Sequence, residues 1–300
     1  MTSKPIRVIL VILAVIIVAA LLFPLALSDL ITIWGRSEAT QLFLNLIRQR
    51  GQVDNPPPAS PAEIGLFYED VMFPALDGTP VRAWLIPAAP HPSSFRLHPL
   101  VVLAHGYGDS PGTLLPLAEL LHQHGYSVLA FWFRETVSVN GYTSDVLGAL
   151  VYANSRPDVS RIALHGQSLG GATAIVAAGQ IEANAPLLHA LIIECGPTSV
   201  TTAALQQMGV PPTASKILFG QLADVNALNQ ARAITAPTLL IYSEADYLVP
   251  TSQARDLYAA LTVPDKELWI APGAAHIRAF QTNRAEYERR YLAFLERHLK

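Results

Sequence analysis

The sequence predicts an α/β fold, a mostly parallel central sheet with helices on both faces, on three observations. Strand-type and helix-type segments alternate from about residue 68 to the C-terminus. Several strand segments are short continuous apolar runs, Leu100 to Ala104 and Thr238 to Ser243 among them, as buried parallel strands require. Of the 300 residues, 51% are hydrophobic and 14% charged, enough apolar material to cover such a sheet on both sides.

The elements follow in order. Tyr68 to Pro74 and Pro80 to Ile86 are strand-type runs around Asp77-Gly78, a hairpin signal. After the strand Leu100 to Ala104 come a Gly-rich loop and a helix over Leu114 to His122. Then come strand Tyr126 to Phe133, helix Ser144 to Asn154, strand Arg161 to His165, helix Leu169 to Gln180 and strand His189 to Glu194. The last elements are strand Thr238 to Ser243, helix Ser252 to Leu261, strand Lys266 to Ala271 and an amphipathic helix Arg284 to Leu299. Residues 196–236 interrupt the alternation. Connections at that position lie over the carboxyl ends of the strands, so a small cap is expected there.

The N-terminal part differs in kind. Residues 1–7 form a short basic leader with Lys4 and Arg7, followed at 8–28 by an uncharged apolar run long enough to span a bilayer as a helix. A cleaved signal peptide is the competing reading, with Ala26 and Ser28 as small residues near a cleavage point, but its apolar core is usually shorter. The sequence therefore predicts a single-pass membrane anchor with the body extracytoplasmic, although Arg36, Arg48 and Arg50 compete with the leader for orientation. Residues 29–63 read as a short juxtamembrane helix and a Pro-rich linker through Pro56, Pro57, Pro58 and Pro61, leaving 64–300 as the folded domain. The net charge is −3 without a Lys/Arg run, which argues against nucleic acid as a partner. The single cysteine, Cys195, permits no intramolecular disulfide.

The chemistry concentrates at Gly166-Gln167-Ser168-Leu169-Gly170-Gly171, between a predicted strand and a helix of small residues. A hydroxyl becomes a useful nucleophile when a sharp strand-to-helix turn presents it, and only small residues fit two places to either side. Ser168 is thus the candidate nucleophile. The oxyanion of a tetrahedral intermediate needs two backbone donors. Leu169 N–H, at the helix start, is one, and Tyr107 N–H, in the loop His105-Gly106-Tyr107-Gly108-Asp109, is the other. Of nine histidines, His276 sits on the loop after the last strand, where it can reach Ser168. His105 and His165 adjoin strand ends and are expected to orient loops. The loop after Ser243 offers two carboxylates, Glu244 and Asp246; either can hold an imidazole, and Asp246 lies further out. The order Ser168, Asp246, His276 matches one fold's triad order among the known solutions.

These segments, VVLAHGYGDS at 101–110, RIALHGQSLGG at 161–171, PTLLIYSEADYLVP at 237–250 and APGAAHI at 271–277, resemble the α/β-hydrolase superfamily. The likeness is nearest to its BEM46-like, ABHD13-like and dienelactone-hydrolase-like serine hydrolases. Many relatives carry an Asp before the Arg that follows the fourth strand; here the stretch is Phe131-Trp132-Phe133-Arg134. The resemblance implies a hydrolase that needs neither metal nor cofactor and acts through an acyl-enzyme, with carboxylic-ester hydrolysis expected on a small or lipid-like acyl substrate. Acyl transfer and peptide cleavage use the same triad, and a membrane-tethered binding protein on this fold is the reading from another class. Phe131, Trp132 and cap residues Ile217, Leu218 and Phe219 suit an acyl or aromatic group, although such residues are more often simply core. The sequence does not specify an oligomeric state.

Overall fold

The computed structural model describes residues 57–89, 97–135, 138–181, 188–199 and 227–300. The predicted anchor at 8–28, the juxtamembrane helix and residues 200–226 of the predicted cap lie outside them. Among the described residues no helix is long and apolar enough to cross a membrane.

The strands are β1 (Glu69–Pro74), β2 (Pro80–Ile86), β3 (His98–Ala104), β4 (Ser127–Phe131), β5 (Val159–Gln167), β6 (Ala190–Glu194), β7 (Thr238–Ser243) and β8 (Lys266–Ala271). The helices are α1 (Leu115–Gln123), α2 (Val139–Ser155), α3 (Leu169–Gln180), α4 (Ala227–Ala231), α5 (Thr251–Ala260), α6 (Ala279–Thr282) and α7 (Arg284–Leu299). The eight strands form one sheet in the order β1-β2-β4-β3-β5-β6-β7-β8. β2 runs antiparallel to both β1 and β4, and all other pairs are parallel.

Side-chain pattern and position agree. β4, β6 and β7 are buried at every residue, the signature of strands covered on both faces. β1, at the edge, mixes exposed and buried positions and carries Glu69 and Asp70, charges that discourage further strand pairing. One face of the sheet packs under α2, α3, α4 and α5 and the other under α1, α6 and α7. α7 turns Tyr287, Tyr291, Phe294, Leu295 and Leu299 inward, while its outer face pairs Glu286 with Arg289 and Arg290 and Glu288 with Arg284. In the β1–β2 hairpin Gly78 adopts a positive φ of 85° and Asp77 Oδ1 accepts the Thr79 N–H at 3.1 Å.

Arg134, just beyond β4, ties three segments together. Its guanidinium donates to Asp77 Oδ2 at 2.7 Å and Oδ1 at 3.0 Å in the hairpin, and to Asp145 Oδ1 in α2 from both Nε, at 2.9 Å, and Nη2, at 2.6 Å. Its backbone N–H donates to Asp145 Oδ2. Arg134 therefore holds the architecture around β4 together. Asp145 has no exposed side-chain surface whereas Asp77 is 45% exposed. Arg134→Met is expected to destabilise the fold by about 3 kcal/mol, because it strands a buried carboxylate. Asp77→Asn is expected to shift the denaturant midpoint little. Urea unfolding of the two variants checks both.

Candidate active site

The loops after β3, β5, β7 and β8 all leave the carboxyl edge of the sheet, the edge at which this architecture binds ligands. Ser168 stands between β5 and α3 with φ 54° and ψ −119°, a conformation that a side-chain-bearing residue rarely adopts. The packing enforces it. A Cβ on Gly166 would lie 2.5 Å from Gly170 O and 2.7 Å from Ala174 Cβ, and one on Gly170 would lie 2.3 Å from Ala104 O and 2.5 Å from His105 O. Only glycine fits at either place. Ser168 N–H is held by Glu194 O on β6 at 2.8 Å, so the elbow is fixed from a neighbouring strand. Gly170→Ala is expected to cost about 2–3 kcal/mol by overpacking. It should also lower any turnover, since the atoms it strikes belong to the end of β3 and the loop beyond. A thermal melt and an activity assay on one preparation test both effects.

Ser168 Oγ lies 2.9 Å from His276 Nε2, and His276 Nδ1 lies 2.6 Å from Asp246 Oδ2. The other oxygen of Asp246 accepts the N–H groups of Leu248 at 2.8 Å and Val249 at 2.9 Å. The Asp246 side chain is fully buried and that of His276 is 9% exposed. The carboxylate is thus shielded and fully hydrogen-bonded, which fixes the ring whose far nitrogen faces the serine. The sequence left Glu244 and Asp246 as alternatives, and they occupy different places. Glu244 Oε2 accepts the N–H of Gly273 at 2.8 Å. Together with Glu244 N to Ala271 O and Ala245 N to Ala274 O, this bond pins the loop that carries His276. Ile277, directly after it, takes a φ of 53°, a costly value for a β-branched residue.

The loop after β3 passes against the serine: a Cβ on Gly106 would lie 3.4 Å from Ser168 Cβ. Tyr107 follows in that loop, and Leu169 is the first residue of α3, whose opening N–H groups have no acceptor within the helix. His105 supports the loop from below. Its Nδ1 lies 2.7 Å from Gly106 O, and Phe133 N–H donates to its Nε2 at 3.4 Å. Burial lowers its pKa to about 4, so the ring is neutral, with the proton on Nδ1 in the only tautomer that satisfies both bonds.

Two further sequence expectations need correction. Phe131 is a fully buried core residue and Trp132 packs edge-on against Trp84 beneath the Arg82 guanidinium, so neither lines the serine's surroundings. Phe133, just past β4, packs edge-on against His105 and stacks on Tyr142 with 4.4 Å between ring centroids, so it supports the loop after β3. Ile217, Leu218 and Phe219 lie outside the described residues. Among the described residues one set of three metal-type ligand atoms falls within 4.8 Å, those of Cys195, Asp246 and His276. Two of these bond each other at 2.6 Å.

The model of the prolyl oligopeptidase family matches residues 140–300, a segment containing Ser168, Asp246 and His276. The chain belongs to the prolyl oligopeptidase family. It is therefore an α/β-hydrolase-fold serine hydrolase. Among curated proteins it is 29% identical over 229 residues to the uncharacterized protein YfhR of Escherichia coli, covering 74% of this chain and 78% of that one. It is 25% identical over 260 residues to the alpha/beta hydrolase domain-containing protein WAV2 of Arabidopsis thaliana, covering 80% and 82%. Its fold is similar to that of the Pyrococcus furiosus esterase Pf2001, with TM-score 0.68, 23% identity and coverage of 82% of this chain and 97% of that one. Another member of the same fold, the Pyrococcus horikoshii acylaminoacyl peptidase, gives TM-score 0.61 at 21% identity over 78% of this chain and 42% of that one.

Proposed function

We propose that this prolyl oligopeptidase family member hydrolyses carboxylic esters through an acyl-enzyme on Ser168. The observation that carries the reading is the continuous hydrogen-bonded chain Ser168–His276–Asp246 at a strained strand-to-helix turn. In this mechanism His276 Nε2 takes the Ser168 proton as Oγ attacks the acyl carbonyl, and Asp246 holds the Nδ1 proton and stabilises the imidazolium. The N–H groups of Tyr107 and Leu169 receive the oxyanion. His276 then returns the proton to the leaving alkoxide, and water enters by the same route to release the acid. No step calls on a metal or cofactor.

Peptide-bond cleavage is the second reading, favoured by the family match, and requires only that an amine replace the alkoxide as leaving group. The apolar run at 8–28 supports a membrane-held enzyme whose domain lies on the extracytoplasmic side, acting on small or lipid-like acyl compounds. Protection of a C-terminal tag in intact cells would contradict that orientation. The activity is tested with the full chain in detergent micelles, on p-nitrophenyl esters from C2 to C12 beside acyl-peptide anilides. Ester turnover well above anilide turnover supports the proposal, and the reverse establishes the peptidase reading. No turnover of either class contradicts both.

A further inference from the structure

Beneath the serine elbow lies a polar cluster to which the mechanism above gives no part. Glu194, at the end of β6, is 1% exposed. Its register partner in β5 is Gln167, the residue before Ser168, and Gln167 Nε2 donates to Glu194 Oε2 at 3.3 Å. Tyr287 of α7 donates its hydroxyl to the same oxygen at 3.0 Å. His165, fully buried on β5, has Nε2 3.6 Å from that oxygen and Nδ1 3.2 Å from the Tyr291 hydroxyl. Glu194 Oε1 and His165 Nε2 are both buried without a hydrogen-bond partner among the described residues. Glu194 thus touches the elbow twice, through its backbone oxygen on the Ser168 N–H and through its carboxyl on the Gln167 side chain.

A Gln at 194 would accept the same two hydrogen bonds without the cost of burying an ionisable group. The carboxyl is therefore placed for its charge, and the groups around it indicate where that charge acts. Facing it are His165 and Gln167 from β5, Tyr287 and Tyr291 from α7, Cys195 next in the chain, and His276 and Arg278 from the loop after β8. His165 is neutral, its pKa lowered to about 3 by burial. The tyrosines and Cys195 are held un-ionised by burial and by the neighbouring carboxylates. His276 and Arg278 are the groups whose positive charge favours the ionised carboxyl.

We infer that Glu194 is a positioning residue for the serine hydrolysis proposed above, acting through Gln167 on the elbow and through its charge on the His276 imidazolium. Its ionisation sets the rate: the deprotonated form is the faster one. Burial raises the carboxyl to about 7, opposed by the bonds from Tyr287 and Gln167 and by the two cations. The fast form is then gained as pH rises through neutrality. The inference rests on the serine-hydrolase reading.

The test is the pH profile of ester kcat/KM and of Ser168 labelling by a fluorophosphonate, in the full chain and two variants. Glu194→Gln is expected to lower kcat about tenfold, with KM within about twofold, and to lose the Glu194 inflection near pH 7 from an acid limb that the general base His276 also shapes. Tyr287→Phe removes a bond that favours the carboxylate, so that inflection is expected to move to higher pH, a shift that a purely structural role would not produce. If Glu194→Gln fails to fold by circular dichroism, the Tyr287→Phe displacement decides alone. A working parent with an unchanged Glu194→Gln profile, or an undisplaced Tyr287→Phe inflection, overturns the inference by itself. A parent that neither turns over nor labels overturns the serine-hydrolase reading as well.

Discussion

Ser168→Ala is expected to lower kcat/KM for the best ester by about 10⁵- to 10⁶-fold, to the residual rate that transition-state binding alone supports. The substitution removes the atom that would form the acyl bond, and among the described residues the hydrogen bond of that Oγ is the 2.9 Å contact with His276. The N–H of residue 168 still donates to Glu194 O. Alanine also tolerates the elbow backbone no worse than serine does, so the melting temperature should stay within a few degrees of the parent's. Steady-state kinetics with a thermal melt of the same samples separates lost chemistry from lost structure. His276→Ala should fall to a similar level, because residues that act as one unit lose activity together rather than additively.

Asp246→Asn is expected to cost about 10⁴-fold in kcat. The reason lies in the two backbone donors. Leu248 N–H and Val249 N–H both point at Oδ1, so an asparagine must turn its carbonyl oxygen to them and its NH₂ to His276 Nδ1. That nitrogen then has to accept, the ring proton moves to Nε2, and the nitrogen facing Ser168 becomes a donor instead of a base. KM should change little, since Asp246 is buried behind the imidazole. A kcat loss below about tenfold would indicate that the carboxylate does not set the tautomer.

The sequence made the sheet legible because its inner strands are unbroken apolar runs and each helix between them is bounded by glycine, proline or a polar cluster. β2, β7, β8, α3 and α7 begin and end where the pattern places them. α2 begins five residues earlier than predicted, at Val139, because the Ser138 side chain caps it by accepting the Gly141 N–H at 3.0 Å. In the sequence, Gly141 resembles a break. α4 and α6, at five and four residues, are too short to carry a period.

The residues named from motif and loop position, Ser168, His276 and Asp246, are those that the fold joins in one hydrogen-bonded chain. Glu194 was not legible. Glu194 looks like an ordinary polar strand end. Its meaning appears only when β5 aligns it with Gln167 and α7 brings Tyr287 onto it, contacts separated by 27 and 93 residues in the chain. The register of the two strands is the signal that would have found it, since any residue opposite the one before a nucleophile sits under the elbow.

The central claim, a nucleophilic Ser168 activated by His276, is tested most directly by treating the full chain with a fluorophosphonate and locating the adduct by peptide mass mapping. The account expects one adduct, on Ser168, formed rapidly by the parent, absent from Ser168→Ala and slowed by orders of magnitude in His276→Ala. An adduct on another residue, or labelling of the parent no faster than that of the His276→Ala variant, would contradict it.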